Sequence, residues 1–351
     1  MATPTAPSKR YYAAGLVQAS AWGTATAVGA GNEILVNSDG NPALKQTYSS
    51  TDAIDQVMAK DGDLGVYEAI DFAPTFEGKT GLQYAPGPLG SAIAALFGAS
   101  ASPAKLVDAA YKHVWTWADE ETDFFTFVTE RPGAIWEIPS CVVTKLNLKV
   151  GDGKVQGSIG FRGNYLTNSS AINTYTQVDA LTPETTANFV KFQDGACWMA
   201  AQTHDDALMA EDAIVVSDMD ITYERVMDAQ ISMGATYLAQ PHESSFKVTV
   251  KLTLPYATAT NVGYLTTFTA MTAQQMLIKF TGGVASSTDH YSLGLYFPRL
   301  KLVSPPDVKL EDIIKNGLEF TAEEAASAPT GMNSTRPYIE LVNLRTTNYL
   351  T

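Results

Sequence analysis

A chain of 351 residues is long enough for two domains of ordinary size. Hydrophobic residues make up 45% and charged ones only 17%, so a sizeable core can form and leave apolar surface for partners. The net charge of −14, with Lys9-Arg10 as the only adjacent basic pair, argues against a protein built to grip nucleic acid, which needs a basic stripe to neutralise phosphates.

The first residues, MATPTAPSKRYYAAG, lack the apolar stretch of a signal peptide, and no run approaches the ~18 apolar residues of a membrane span. Neither secretion by the general route nor embedding in a bilayer is expected. Cys141 and Cys197, the only cysteines, are too few and too far apart for a disulfide framework or a metal site, and each sits in an apolar run. Two buried free thiols are expected, as suits folding in a reducing cytosol.

In chain order, residues 1–14 read as a flexible Pro/Ala/Ser/Thr-rich arm. A strand is expected at 71–78, then a helix at 89–98, where Leu89, Ile93, Leu96 and Phe97 share a face and Gly98 gives the stop. Strands follow at 113–118, 124–129, 140–150 and 155–163, rich in Val, Ile, Thr and aromatics. Gly151-Asp152-Gly153 supplies a hairpin turn between the last two. Residues 171–188, polar and Ser/Thr/Asn-rich with one proline, read as a linker.

The second half repeats the order. Strand character at 213–223 and 246–254 leads to a helix at 261–271, with Asn261 as N-cap and Val262, Leu265, Phe268 and Met271 on one face. Strands are expected at 276–280, 291–297, 299–304 and 317–322, and a last one at 338–344 after a polar stretch. Long polar loops at 38–66 and 224–245 precede the strand before each helix. The class is mainly β, and the halves, 15–170 and 189–351, read as two copies of one unit.

A search for chemistry finds little. His204-Asp205-Asp206 lacks a second histidine at ligand spacing and reads as an acidic loop. Asp289-His290 beside Ser286-Ser287 has no nucleophile elbow and reads as a turn. Asp61 and Asp63 lack the later carboxylates of a calcium loop, and the glycine-rich pieces lack the Lys-Ser/Thr of a phosphate loop. No enzyme activity, cofactor or metal is expected. Trp115 and Trp117, two apart on a strand, share one face and keep a carbohydrate-binding β module as an alternative.

Several stretches together resemble the tail tube proteins, or major tail proteins, of long-tailed non-contractile phages. They are GLVQASAWGTATAV at 15–28, PTFEGKTGLQYAPGPLGSAIAALFG at 74–98, YKHVWTWAD, LNLKVGDGKVQGSIGFRG, and YFPRLKLVSPPDVKL followed by GLEFTA. The resemblance implies two tandem tail-tube-like β-sandwich units, each with one flanking short helix. It implies self-association into stacked rings, trimeric with pseudo-sixfold symmetry or else hexameric, forming a conduit for genome DNA. The partners implied are the tape measure protein and DNA in the lumen, and terminator and distal tail proteins at the ends. The place implied is the virion tail, after synthesis and assembly in the host cytoplasm. Met58, Tyr67, Met227, Met233 and Tyr237, in or beside the long loops, are the expected assembly contacts. Much of the acidic excess behind the net charge of −14 would then line the channel and let DNA slide. A minor tail protein, a tail terminator or a distal tail component of the same fold is the nearest alternative.

Overall fold

The computed structural model describes residues 14–37, 46–50, 62–67, 70–77, 81–119, 123–131, 133–151, 153–183, 188–228, 238–255, 259–310 and 314–350. At 46–50, 62–67, 183, 259–263, 308–310 and 314–315 the description is of the backbone alone. The fold is mainly β, one large antiparallel network with a short parallel pairing between 30–33 and 182–183.

The first half contributes β1 (Ala14–Ala19), α1 (Pro88–Phe97), β2 (Tyr111–Trp117), β3 (Phe124–Arg131), β4 (Ala134–Val150) and β5 (Gln156–Gly163). A short helix, α2 (Tyr175–Asp179), follows. The second half contributes β6 (Gly195–Ala201), β7 (Asp218–Asp228), β8 (His242–Leu254), α3 (Ala259–Thr269), β9 (Gln274–Ser286), β10 (Asp289–Leu302), β11 (Ile314–Ala322) and β12 (Tyr338–Asn343).

The pairing order recurs. In the first half β1 pairs β3, β3 pairs β4, β4 pairs β5, and β5 pairs the strands at 70–72 and 75–76 that precede α1. In the second half β6 pairs β9, β9 pairs β10, β10 pairs β11, and β11 pairs β8, the strand that precedes α3. Every one of these pairings is antiparallel. β4 and β10 play the same part: each is long, and each passes from one group of strands to the next.

The halves are joined in two places. β4 pairs β7 from Lys145↔Glu224 to Val150↔Met219, and β12 lies between β2 and β10. One apolar core runs through both, from Leu16, Phe97 and Phe127 to Ile278, Phe297 and Phe320. Cys141 and Cys197 are buried free thiols within it. Burial pushes the Cys197 thiol up to about 12.

Local sequence explains the elements. β7 reads DMDITYERVMD, and its residues alternate between buried and accessible along the whole strand, as a period of two requires. The β4–β5 hairpin turns through Gly153 at φ +88°, a region an L side chain resists. α1 starts with Pro88 in its first turn and stops at Gly98, left-handed at φ +77°, whose N–H returns to the Ala94 carbonyl. Its apolar residues Leu89, Ile93, Leu96 and Phe97 are all buried, together with the alanines between them.

α3 differs from the expected packing. Tyr264 is the buried residue, Phe268 is half-buried, and Leu265 and Met271 are exposed, at 51% and 72%. The i, i+4 pair Tyr264/Phe268 faces the core, so the face drawn through Leu265 and Met271 points to solvent. Residues 171–188, read as a linker, carry α2, capped by Thr174 with Gln177 reaching back to it. Val178 and Leu181 pack on Val28, Val128 and Ile135, and Asn173 is buried, so this stretch is held to the first half.

Candidate assembly surfaces

Seven strand segments form a sheet with two unlike faces: 70–76, β5, the second half of β4, β7, β8, β11, and the end of β10 beside the strand Asp307–Leu310. Leu146, Ile159, Ile221, Val250, Leu252 and Phe320 point into the core and are buried. The opposite face is polar. Asn147, Ser158, Thr222, Thr249 and Thr321 make one uncharged row across five strands, set by the register Asn147↔Ser158, Asn147↔Thr222, Thr222↔Thr249 and Thr249↔Thr321. The 70–76 segment pairs β5 and is met on its other side by the Asn37 N–H, which donates to the Thr75 carbonyl at 2.7 Å, while Asp307–Leu310 pairs β11. Edge strands are where a sheet can add a strand from another chain.

A second feature sits where β7 leaves that sheet. Arg225 lies in register with Ile221 and Tyr223, on the apolar face, and its side chain is fully buried. Its Nε donates to the Leu96 carbonyl at 3.0 Å, at the end of α1. One terminal nitrogen donates to Glu243 Oε2 at 2.6 Å, and the other to the Ala118 carbonyl at 3.3 Å. The guanidinium lies 3.8 Å over the Trp117 ring, which stacks on Phe246. Burial pushes the Glu243 carboxyl above its ordinary range, and the Arg225 charge pulls it partly back. Next to this group, Arg336 donates to Asp119 at 2.6 Å and pairs with Glu324 at 3.1 Å. The base of the β7–β8 hairpin is therefore locked to α1 and β2 of the first half.

The expected assembly residues fall as follows. Met58, Met233 and Tyr237 lie outside the described residues. Tyr67 ends the strand Gly62–Tyr67, which pairs antiparallel with Gln46–Ser50 opposite Gln46. The stretch read as a loop at 38–66 thus contains a hairpin, and β7 and β8 take both ends of the stretch 224–245. Met227 is 6% exposed and packs with Ala19, Phe124, Val142 and Trp22, so little of it remains for another copy. Sequence reading missed Arg225, although its two-residue spacing from Ile221 and Tyr223 was the available signal.

The stretches weighed for chemistry take structural places. Ser286 Oγ accepts from the Ala109 N–H, Asp289 accepts from the Asp108 N–H, and His290 Nδ1 lies 3.0 Å from the Gly282 carbonyl. The first two contacts fasten the tip of the β9–β10 hairpin to residues 108 and 109, and the third lies within the hairpin. His204 Nε2 is 3.7 Å from Asp212, and among the described residues no group of three or more His, Cys, Asp or Glu is arranged to hold a metal. Trp115 is buried, and the other four tryptophans are half-buried, so Trp115 and Trp117 do not form an exposed pair.

A two-faced sheet fixed on one side to a continuous core, with no cluster of catalytic or metal-binding groups among the described residues, is an architecture suited to a structural protein. A family model for the phage tail tube protein matches residues 13–322, and the chain belongs to that family. Its role is structural, in the tail tube of the virion, and membership carries self-assembly into a tube. No curated protein matches the chain. Among the described residues no helix is long and apolar enough to cross a membrane.

Proposed function

We propose that this chain closes into rings that stack as the tube of a non-contractile tail, through which genome DNA leaves the particle. The observation that carries the ring stoichiometry is the recurring strand order: β1–β3–β4–β5–(70–76) in one half and β6–β9–β10–β11–β8 in the other. Two copies of one unit in a chain make three chains supply six units, so the ring is trimeric with pseudo-sixfold symmetry. The edge strands at 70–76 and 307–310 support closure, since joining edge strands between neighbours buries edges that would otherwise aggregate. Tape measure protein and DNA occupy the lumen in this reading, and terminator and distal tail proteins cap the ends. The long loops, with Met58, Tyr67, Met233 and Tyr237, are placed at ring-to-ring contacts. The chain itself performs no catalysis.

Electron microscopy of the purified protein over a concentration series tests this. Hollow tubes or stacked rings whose threefold averages show six lobes are expected. Rings of six chains would overturn the stoichiometry, and a single ring that never stacks would favour a terminator.

A further inference from the structure

Hydrogen bonds and register put a first-half stretch in correspondence with β7. The Asn37 N–H donates to the Thr75 carbonyl at 2.7 Å, and the Ser217 N–H donates to the Thr253 carbonyl at 2.8 Å, one residue before β7 begins. Gln46 stands opposite Tyr67 as Val226 stands opposite Ser245, and in both hairpins the register shifts directly afterwards. The spacing agrees on both strands. Asn37 to Gln46 is nine steps along the chain, as is Ser217 to Val226, and Tyr67 to Thr75 is eight, as is Ser245 to Thr253. The stretch from 37 to 46 is therefore the first-half counterpart of 217–226, and Lys45 holds the position of Arg225.

The two helices also end alike. Gly98 closes α1 at φ +77° and Met271 closes α3 at φ +51°, a left-handed conformation that costs a methionine more than a glycine. What covers the two ends differs. Two residues before Gly98, the Leu96 carbonyl takes a hydrogen bond from Arg225, which arrives on β7 from the following half. Two residues before Met271 stands Thr269, and Thr269, Ala270 and Met271 are all exposed. α3 has no basic residue of its own in its last turn, although the carbonyls at a helix C-terminus attract a cation. The half that would follow α3 in the same order is the first half of another molecule.

We propose that the C-terminal end of α3 is a docking site for a second copy of this chain, whose Lys45 caps it as Arg225 caps α1. This rests on the tube reading and names its joint. The edge beside α3 supports it. β7 reaches α1 by pairing β4 from Lys145 to Val150, and the strand 307–310 stands to β11 as that part of β4 stands to β5. Val308 is opposite Asn316 and Leu148 is opposite Gly157; Asn316 in turn pairs Leu254 and Gly157 pairs Phe76, one residue after Thr253 and Thr75. The incoming 37–46 stretch is thereby laid along 303–310, as β7 is laid along β4. Lysine keeps the charge of Arg225 and forgoes the stacking, since Trp117 lies on β2, outside the recurring order.

Two full-length variants, Lys45→Cys and Met271→Cys, test the contact. Mixed, assembled and treated with a short bismaleimide, they should give a covalent dimer that neither gives alone. The native thiols Cys141 and Cys197 are buried and do not compete. Lys45→Cys mixed with Val107→Cys, an exposed first-half position, is the control and should stay uncross-linked. Should Lys45→Cys impair assembly, Gln46→Cys takes its place. A second readout needs no cysteine. Lys45→Ala should leave the melting temperature of the unassembled chain unchanged and raise the concentration needed for assembly by about fivefold, the size of a cation at a helix C-terminus. Lys45→Arg should assemble like the wild type. Assembled material without the dimer, or Lys45→Ala chains that assemble like the wild type, would overturn the proposal and leave the tube reading standing. A lowered melting temperature of unassembled Lys45→Ala would mean that Lys45 serves its own chain, and would overturn it as well. A wild-type chain that forms neither rings nor tubes under any condition would sink the tube reading, and the proposal with it.

Discussion

The two halves of the chain share a strand order but use their helices differently. α1 is buried on every side, with alanines at 92, 94 and 95 letting the surrounding strands approach closely, whereas α3 buries Tyr264 and leaves Leu265 in solvent. The first half also receives help from the second: Arg225 caps the last turn of α1, and β12 supplies a neighbour for β2. Halves with a similar pairing order therefore need not pack their helices alike. The halves are alike in connection and unlike in what holds them.

This contrast can be broken by mutation. Phe97→Ala should cost about 3–5 kcal/mol, because it opens a cavity among Tyr223, Phe246 and the sheet residues around them. Denaturant melts would show it, and a loss below about 1 kcal/mol would mean that α1 is not the anchor. Arg225→Ala should cost about 3 kcal/mol by stranding the Leu96 and Ala118 carbonyls and leaving Glu243 without its partner. Limited proteolysis of that variant should cut the β7–β8 hairpin base before any other described strand.

A smaller effect is expected from acid. His113 is buried, with Nε2 near Asn343 Oδ1 and the Arg345 carbonyl, and burial holds its imidazole below the ordinary value of 6.5. The unfolded chain takes up this proton first as pH falls. The stabilisation is whole above about pH 6.5 and drains away as pH drops through the folded value. His113→Gln should flatten that part of a melting-temperature profile, and an unchanged slope would show that His113 does not set it. Leu265→Ala should be the mildest change, within about 0.5 kcal/mol, since its side chain is half in water. A larger loss would mean that α3 packs more like α1 than it is drawn.

Much of this was legible in the sequence. Apolar alternation marks β7 and β8, Gly98 marks the end of α1, and the Gly-Asp-Gly turn marks the β4–β5 hairpin, because each depends on neighbours along the chain. The packed face of α3 was not legible: Leu265 and Tyr264 are both apolar enough to face inward, and only the third dimension chooses. Arg225 was hidden by habit, since a charged residue in a strand is usually assigned to water. Residues 171–188 looked like a linker because Ser, Thr and Asn suit exposed turns. Asn173 instead spends its amide on Glu137, the Thr26 carbonyl and the Val28 N–H. The uncharged row of the polar face was visible as letters, but its order across strands depends on register, which no single strand contains.

The late position of β12 has a consequence for synthesis. His113 on β2 and Asn343 on β12 are 230 residues apart in sequence, and β2 has β12 as its long partner. At ordinary rates of translation, the ribosome needs roughly 10–50 s to make the intervening chain. During that interval β2 waits unpaired on this side, and the first half cannot reach its finished form while it is still being made.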